Sequence, residues 1–367
     1  MSGVRFVPLA VFACSLSLAC ADVPSAETGE TETSGESSSS GDGDGDAAES
    51  TTGDGDGDPS GDGDGEPGGD GDGEPSGDGD GEPSGDGDGD PTELPAGCGM
   101  PSPGPGTHSG SVMVDGVQRN YRLFVPVTYD PQNISSLVVN FHGLLGNPDQ
   151  QADFSQFNMS AQLRGMVVAY PEGIGASFNA GACCGEADSQ DVDDIGFARA
   201  LVDKLVSEMC IAPERVYATG MSNGGHMSHT LGCEAADVFA AVASVTGVNG
   251  LADCQPSRPI SVIDFHGTAD LIVQYGGAGP GYPPVPDMME DWAARNGCSP
   301  VSEVIFDEGD TLCETWPGCD EGVEVTLCTV DGMGHCWPGN GSCLFGAAST
   351  TIHASEWIAD LFLMHTL

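Results

Sequence analysis

The chain has 367 residues, of which 57 are Asp or Glu and 9 are Lys or Arg, so its formal net charge is −48. This acidic balance disfavours nucleic-acid binding, because neutralising phosphate groups requires a basic surface. A repetitive N-terminal segment carries roughly half of the negative charge, and the remainder of the chain is still acidic, with Lys204 as its single lysine.

The first 19 residues have the features of an export signal. Arg5 precedes an apolar run over residues 6–19, which is too short for a membrane span and ends in LSLAC. This arrangement is similar to a bacterial lipoprotein signal, in which Cys20 would be lipidated and become the mature N-terminus. Cleavage and release without a lipid is the alternative. We therefore expect an extracellular protein or a lipoprotein of the bacterial envelope, with membrane contact only through an anchor at Cys20.

Residues 20–97 contain almost nothing that could be buried. They repeat SGDGDGEP with small variations, and their acidic side chains repel one another with no lysine or arginine among them. The segment is predicted to be a disordered acidic linker. The repeats lack the closing glutamate of an EF-hand and the apolar position of calcium-binding nonapeptides, so only weak calcium association stays open.

Residues 98–367 are long enough for one α/β domain with a full core. The domain opens with an alternating segment around Asp115-Gly116, which predicts an antiparallel hairpin at a sheet edge. Short valine-rich runs closed by glycine or proline then predict buried parallel strands. These runs cover residues 136–143, 165–171, 215–220, 239–247, 260–267 and 323–332.

Helical segments lie between the predicted strands. Apolar residues recur at three-to-four spacing over residues 194–209, and a final helix is expected over about residues 349–363, beginning with a capping Ser or Thr. The alternation predicts an α/β fold, a mostly parallel sheet with helices on both faces.

Twelve of the cysteines lie in the predicted domain. An even number in an exported chain indicates disulfide bonds, whose pairing the sequence leaves open. A zinc site is disfavoured because Cys183 and Cys184 are adjacent rather than spaced as C-x-x-C, so no metal is predicted.

The pentapeptide GMSNG places Ser222 between Gly220 and Gly224, after the predicted strand RVYAT and before a helical stretch. In this strand-turn-helix context, G-x-S-x-G exposes a nucleophilic serine on a strained turn. A serine requires a base and an acid that orients the base, each on a loop after a later strand. Asp270 and His335 follow two later strands in the required order, and the other histidines are less well placed.

Acyl transfer also requires two donors for the oxyanion of the tetrahedral intermediate. The N–H groups of Asn223, which follows the serine, and of Leu144, in the glycine-rich HGLLG loop, are the candidates.

The motifs NFHG, YPEG, SFNAGACCG, RVYATGMSNGG, DFHGTAD and GMGHCWPG occur here in one order. The domain resembles the secreted polyhydroxybutyrate depolymerase-like esterases, a group that includes feruloyl and acetylxylan esterases. The resemblance implies an α/β-hydrolase fold and a serine carboxylesterase that acts, without a cofactor, on esters of a polymer or its fragments. It implies Ser222 as nucleophile, Asp270 as acid and His335 as base.

The chain departs from this family at two positions, one at an aromatic residue and one directly before an aromatic residue. Phe178 stands where relatives usually have tryptophan, and Cys336 replaces a threonine before Trp337. Both aromatics are candidates for flanking the acyl pocket, with core packing as the alternative. A peptidase on the same fold and a catalytically silent, tethered binding module are the competing functions, and we expect a monomer.

Overall fold

We describe a computed structural model of the chain over residues 94–367. The predicted signal peptide over residues 1–19, the lipidation site Cys20 and the linker as far as residue 93 lie outside the described residues.

One large sheet organises the described part of the chain. It has ten strands in the order β1-β2-β4-β3-β5-β6-β7-β10-β9-β8, and a separate two-stranded sheet pairs β11 with β12. The strands are β1 (Gly106–Val114), β2 (Val117–Val125), β3 (Ser135–Phe141), β4 (Val167–Pro171), β5 (Ile211–Met221), β6 (Ala241–Val245), β7 (Ser261–Gly267), β8 (Glu303–Glu308), β9 (Thr311–Trp316), β10 (Val325–Val330), β11 (His335–Cys336) and β12 (Cys343–Phe345).

The centre of the large sheet is parallel and its two edges are antiparallel. Strands β4, β3, β5, β6, β7 and β10 pair in parallel, and these are the six valine-rich runs predicted from the sequence. The expected hairpin is also confirmed, since β1 and β2 pair antiparallel across Asp115-Gly116 at one edge. The hairpin of β8 and β9 at the other edge was not predicted. The parallel strands therefore end along one edge of the sheet, where the predicted site residues follow them.

Helices cover both faces of the sheet, as predicted. Residues of α4, α5 and α6 join one hydrophobic cluster, and residues of α2 and α7 join a second cluster. The helices are α1 (Pro148–Ser155), α2 (Phe157–Arg164), α3 (Gly185–Ser189), α4 (Asp194–Glu208), α5 (Asn223–Glu234), α6 (Val285–Arg295) and α7 (Ala354–Met364).

The final helix begins later than the sequence indicated. It starts at Ala354 after His353, and no side chain caps it. Ser349, the predicted cap, instead donates its hydroxyl to Asp310 at 3.0 Å, while its carbonyl accepts the N–H of Gly339. These contacts hold residue 349 in a loop against other loops, so the predicted start was wrong.

All twelve cysteines of the described residues form disulfide bonds, and the structure supplies the pairing that the sequence left open. The pairs are Cys98–Cys210, Cys183–Cys184, Cys233–Cys254, Cys298–Cys319, Cys313–Cys328 and Cys336–Cys343.

Candidate active site

Ser222 occupies a sharp turn between β5 and α5. Its backbone has φ 58° and ψ −119°, a conformation that is strained for a residue with a side chain. The strain is held in place because the Ser222 N–H donates to Val245 of the neighbouring strand at 2.9 Å, and the Ser222 carbonyl accepts the N–H of His226 at 2.9 Å. The side chain is partly exposed, unlike that of Asn223, which is buried.

The two glycines of GMSNG are required by close packing. A Cβ at Gly220 would lie 2.7 Å from the carbonyl oxygen of Phe141, and one at Gly224 would lie 2.9 Å from that of His142. Real Cβ atoms do not approach backbone atoms this closely, so the turn at Ser222 depends on glycine on both sides.

Asp270 and His335 form a buried hydrogen-bonded pair. The Nδ1 atom of His335 lies 2.7 Å from Oδ2 of Asp270, and both residues are 3% exposed. The other carboxylate oxygen, Oδ1, accepts the N–H groups of Ile272 at 2.8 Å and Val273 at 3.0 Å. Because a carboxylate accepts at Nδ1, that nitrogen carries a proton, and Nε2 is the nitrogen of His335 left to act as a base.

Strand order brings the three predicted catalytic residues to the same edge. Ser222 follows β5, Asp270 follows β7 and His335 follows β10, and these strands lie within the parallel run β5-β6-β7-β10. The His335 loop also packs against the end of β7, since a Cβ at Gly267 would lie 2.7 Å from the carbonyl carbon of Met333.

The loop after β3 lies beside the serine. A Cβ at Gly143 would lie 3.3 Å from Cβ and 3.9 Å from Oγ of Ser222. Neither the Leu144 N–H nor the Asn223 N–H, the two predicted oxyanion donors, donates to another residue of the described domain. Both N–H groups therefore have their donor capacity free for a ligand.

The two aromatic residues predicted to flank the substrate belong to the core. Phe178 is 0% exposed and packs edge-on against Phe141, with ring centroids 5.1 Å apart. Trp337 is 1% exposed and donates its indole N–H to the Ser355 hydroxyl at 3.0 Å. Since neither ring presents a surface to solvent, their assignment as substrate-contacting residues is corrected.

Asn223 fastens the Phe178 loop to the serine turn. Its side-chain oxygen accepts the N–H of Phe178 at 2.7 Å, and its amide donates to the Phe178 carbonyl at 2.9 Å. The same amide lies 3.6 Å from Sγ of Cys183, in the disulfide between adjacent cysteines. The sequence motif indicated a role only for the backbone N–H of Asn223, and this bracing role of its side chain was not predicted.

Two further histidines border the serine turn. His142 donates from Nδ1 to the Gly143 carbonyl at 2.8 Å and accepts the N–H of Gly173 at Nε2, so it braces the loop that contains Leu144. His226 is fully buried on α5, where its Nδ1 contacts the Ser222 carbonyl at 2.8 Å. Burial lowers the pKa of both imidazoles, that of His226 to about 4.

The structure also reveals a buried acid besides Asp270. Asp264 lies inside β7, 0% exposed, between the imidazoles of His229 and His266. Asp264 and His266 are two residues apart on a strand and therefore face the same side of the sheet. That spacing within an otherwise apolar run was the available signal.

Within residues 94–367, no group of three or more His, Cys, Asp or Glu side chains is arranged to hold a metal ion. The helices in that range are all too short or too polar to cross a membrane.

The fold and the arrangement of residues at the strand ends define an α/β-hydrolase. Residues 119–267, which include Leu144 and Ser222, match the family model described as esterase PHB depolymerase. The acetyl xylan esterase from Aspergillus awamori has the same fold, with a TM-score of 0.51 and 15% identity over 70% of this chain and 98% of that one.

Curated relatives agree with the family match. Feruloyl esterase B of Piromyces equi is 33% identical over 228 residues, which are 57% of this chain and 41% of that protein. The putative esterase NocK of Nocardia uniformis subsp. tsuyamanensis is 29% identical over 70% of this chain and 83% of its own length. The chain thus spans about two fifths of the first of these relatives and most of the second. Residues 119–267 are thus similar to the esterase PHB depolymerase family, and both of these relatives are named as esterases.

Proposed function

We propose that this chain is a serine carboxylesterase in which Ser222 is the nucleophile, His335 the general base and Asp270 the acid that orients it. The observation that carries the proposal is that two features lie at the same edge of the sheet. One is the strained turn at Ser222, and the other is the contact of 2.7 Å between Nδ1 of His335 and Oδ2 of Asp270. A strained backbone at a nucleophile position and a buried carboxylate on an imidazole are the two features that this chemistry needs.

In the proposed reaction, Oγ of Ser222 attacks the carbonyl carbon of the ester while Nε2 of His335 takes the hydroxyl proton. The N–H groups of Leu144 and Asn223 donate to the oxyanion of the tetrahedral intermediate. The intermediate breaks its bond to the alcohol oxygen, which receives the proton from His335, and an acyl-serine remains. Water then gives a proton to His335 and attacks the acyl carbon, so that the acid is released and the Ser222 hydroxyl is restored.

Ser222→Ala tests the nucleophile. It should lower kcat for a short p-nitrophenyl ester by about a thousandfold or more, because no other group supplies the attacking oxygen. Ser228→Ala is a matched control, since Ser228 is a buried serine of α5 whose hydroxyl donates to the Gly224 carbonyl. A fluorophosphonate probe should label the wild-type and Ser228→Ala proteins. Labelling or turnover retained in Ser222→Ala would show that the nucleophile is elsewhere, and an unlabelled wild-type protein would favour a binding module.

The substrate is proposed to be an ester carried by a polymer or its fragments. This rests on the family and on relatives named feruloyl esterase and acetyl xylan esterase. A comparison of kcat/KM for polyhydroxybutyrate fragments, methyl ferulate and acetylated xylan should identify one preferred class. Equal and slow rates on all three would contradict a polymer-derived substrate.

We also propose that the protein is exported and held at the bacterial surface through Cys20. Six disulfide bonds in the described domain support an oxidising compartment. Replacing Cys20 by Ala should then move the esterase from the membrane fraction of whole cells to the medium, whereas an unchanged distribution would exclude a lipid anchor at this cysteine.

A further inference from the structure

A buried row of polar side chains lies behind the proposed catalytic acid. Trp292 of α6 contacts His229 of α5, His229 contacts Asp264 of β7, and Asp264 contacts His266 of the same strand. His266 in turn lies 3.7 Å from Asp270. All of these side chains are fully buried, and the proposed mechanism uses only that of Asp270.

The proton positions on His229 follow from its partners. Trp292 can only donate, and its indole nitrogen lies 3.2 Å from Nδ1 of His229, so this Nδ1 accepts and carries no proton. His229 is therefore neutral, with its proton on Nε2, which faces Oδ2 of Asp264 at 3.5 Å. It gives Asp264 a polar neighbour but no counter-charge.

The two nitrogens of His266 face only acceptors. Nε2 lies 2.8 Å from the Val273 carbonyl oxygen, and Nδ1 lies 3.4 Å from Oδ1 of Asp264. A neutral imidazole has a proton on one nitrogen, so it would turn a lone pair toward one of these oxygens. The protonated ring donates to the Val273 carbonyl and also places a positive charge 3.4 Å from Oδ1 of Asp264, as a buried carboxylate requires.

This imidazole also faces the catalytic acid. Its Nε2 lies 3.7 Å from Oδ2 of Asp270, the same oxygen that contacts Nδ1 of His335 at 2.7 Å. The Val273 carbonyl that accepts from His266 belongs to the turn whose N–H groups donate to Asp270. His266 is thus linked to the acid both through space and through its supporting turn.

We propose that His266 is a positioning residue for Asp270, held as an imidazolium by Asp264 so that its positive charge and its bond to Val273 fix the acid as an ionised carboxylate. The inference rests on the proposed function, because it assumes that Asp270 orients His335. Burial opposes the charged form of His266, but the Asp264 carboxylate outweighs it and raises the pKa of this imidazole. Burial also opposes the charged form of Asp264, but the two imidazoles outweigh it and lower the pKa of this carboxyl group. The titratable groups around His266 are Asp264, Asp270, His226, His229, Tyr275 and His335.

His266→Gln separates the charge from the packing. The glutamine amide can still donate to the Val273 carbonyl but carries no charge. Loss of a positive charge near Asp270 favours the protonated form of His335, so the acidic limb of the kcat/KM profile should move to higher pH by about one unit. Asp264→Asn should give a shift of the same sign, because it removes the carboxylate that keeps His266 charged. The double variant should shift no further than either single variant.

Tyr275→Phe is the matched control. The Tyr275 ring lies 6.0 Å from that of His266, and its hydroxyl contacts Thr329 Oγ1 at 2.8 Å, so the change disturbs the packing around His266 without altering its charge. The acidic limb of this variant should coincide with that of the wild-type protein. A purely structural role for His266 would lower stability and kcat in His266→Gln and leave the limb unmoved, and that result would overturn the proposal.

The wild-type protein provides a readout that does not depend on how the variants fold. After selective ¹⁵N labelling of histidine, one imidazole other than that of His335 should keep protons on both nitrogens at a pH above the ordinary histidine pKa of about 6.5. The other arrangement without net charge is a neutral His266 beside a protonated Asp264. In that case the spectrum would show a proton on only one nitrogen of His266, and this result would overturn the proposal. Ser222-dependent turnover of the wild-type protein tests the proposed function separately from either result.

Discussion

Two of the buried carboxylates of the described domain, Asp194 and Asp264, have different kinds of partner. Asp194 at the start of α4 lies 2.5 Å from the guanidinium of Arg119, and its other oxygen accepts the N–H of Asn179 at 2.7 Å. Asp264 has two imidazoles at 3.4 Å and 3.5 Å, and neither contact has the geometry of a hydrogen bond. The partner of Asp194 is a guanidinium, which is always charged, whereas the partners of Asp264 are two imidazoles.

Under the proposed role of His266, this difference separates a structural acid from one that affects the candidate site. Arg119 and Asp194 join β2 to α4, and Asp194 accepts hydrogen bonds from Arg119 and Asn179, not from Ser222, Asp270 or His335. Asp264 lies two residues from His266 on β7, whose following loop holds Asp270. A permanent ion pair favours a fixed structure, while a titratable pair beside a catalytic acid can set the charge that this acid experiences.

The largest effect on stability is expected from breaking the pair of Arg119 and Asp194. Arg119→Ala would leave the Asp194 carboxylate buried with a single hydrogen-bond donor, which should reduce the free energy of unfolding by about 3–5 kcal/mol. Urea unfolding followed by circular dichroism measures this loss. Burial raises the pKa of Asp194 despite the attraction of Arg119, which indicates that desolvation of this carboxylate outweighs the gain from pairing.

Because desolvation of Asp194 outweighs its pairing with Arg119, a variant that lacks both charges is the control for Arg119→Ala. Changing both residues together, Arg119→Met with Asp194→Leu, removes the buried charges instead of stranding one and should restore most of the lost stability. If the double variant is no more stable than Arg119→Ala, the loss comes from packing, for example from the guanidinium that lies 4.0 Å above the Phe197 ring, and not from the uncompensated carboxylate.

The sequence predicted the centre of the sheet better than its edges. The parallel strands are buried on both faces, so their apolar runs identify them without tertiary information. Strand β8, EVIFDE, lies at an edge with mostly exposed side chains, and its charged ends hide the strand pattern. The start of α7 was wrong because the partner of Ser349 is Asp310, which is 39 residues away and invisible to a local capping rule.

The residues of the candidate site also differ in whether local sequence patterns predict their positions. The turn at Ser222 depends on adjacent residues, and Asp270 and His335 follow strands that the sequence identifies, so local patterns were enough to select them. Whether Phe178 and Trp337 face a cleft or the core depends on which residues pack around their rings, such as Phe141 and Ser355. That information is tertiary, and the sequence pattern is the same in both cases.

His226 extends the comparison to an imidazole that lacks a carboxylate. Like His266 it is fully buried, but its Nδ1 contacts only the Ser222 carbonyl and its Nε2 has no hydrogen-bond partner in the described domain. Burial lowers its pKa to about 4, the opposite direction from His266. Because the unfolded chain binds this proton near pH 6.5 and the folded chain does not, stability present above that pH is lost as the pH falls toward 4.

His226→Asn measures this contribution, since the asparagine amide can still donate to the Ser222 carbonyl but does not titrate. Between about pH 7 and pH 5, the wild-type protein should lose about 2 kcal/mol of unfolding free energy more than the variant does. Each protein serves as its own reference, so the helix propensity of asparagine cancels from the comparison. Equal pH dependence in the two proteins would mean that the folded chain accommodates a charged imidazole at residue 226. A difference in charge between His226 and His266 could then not be attributed to the Asp264 carboxylate.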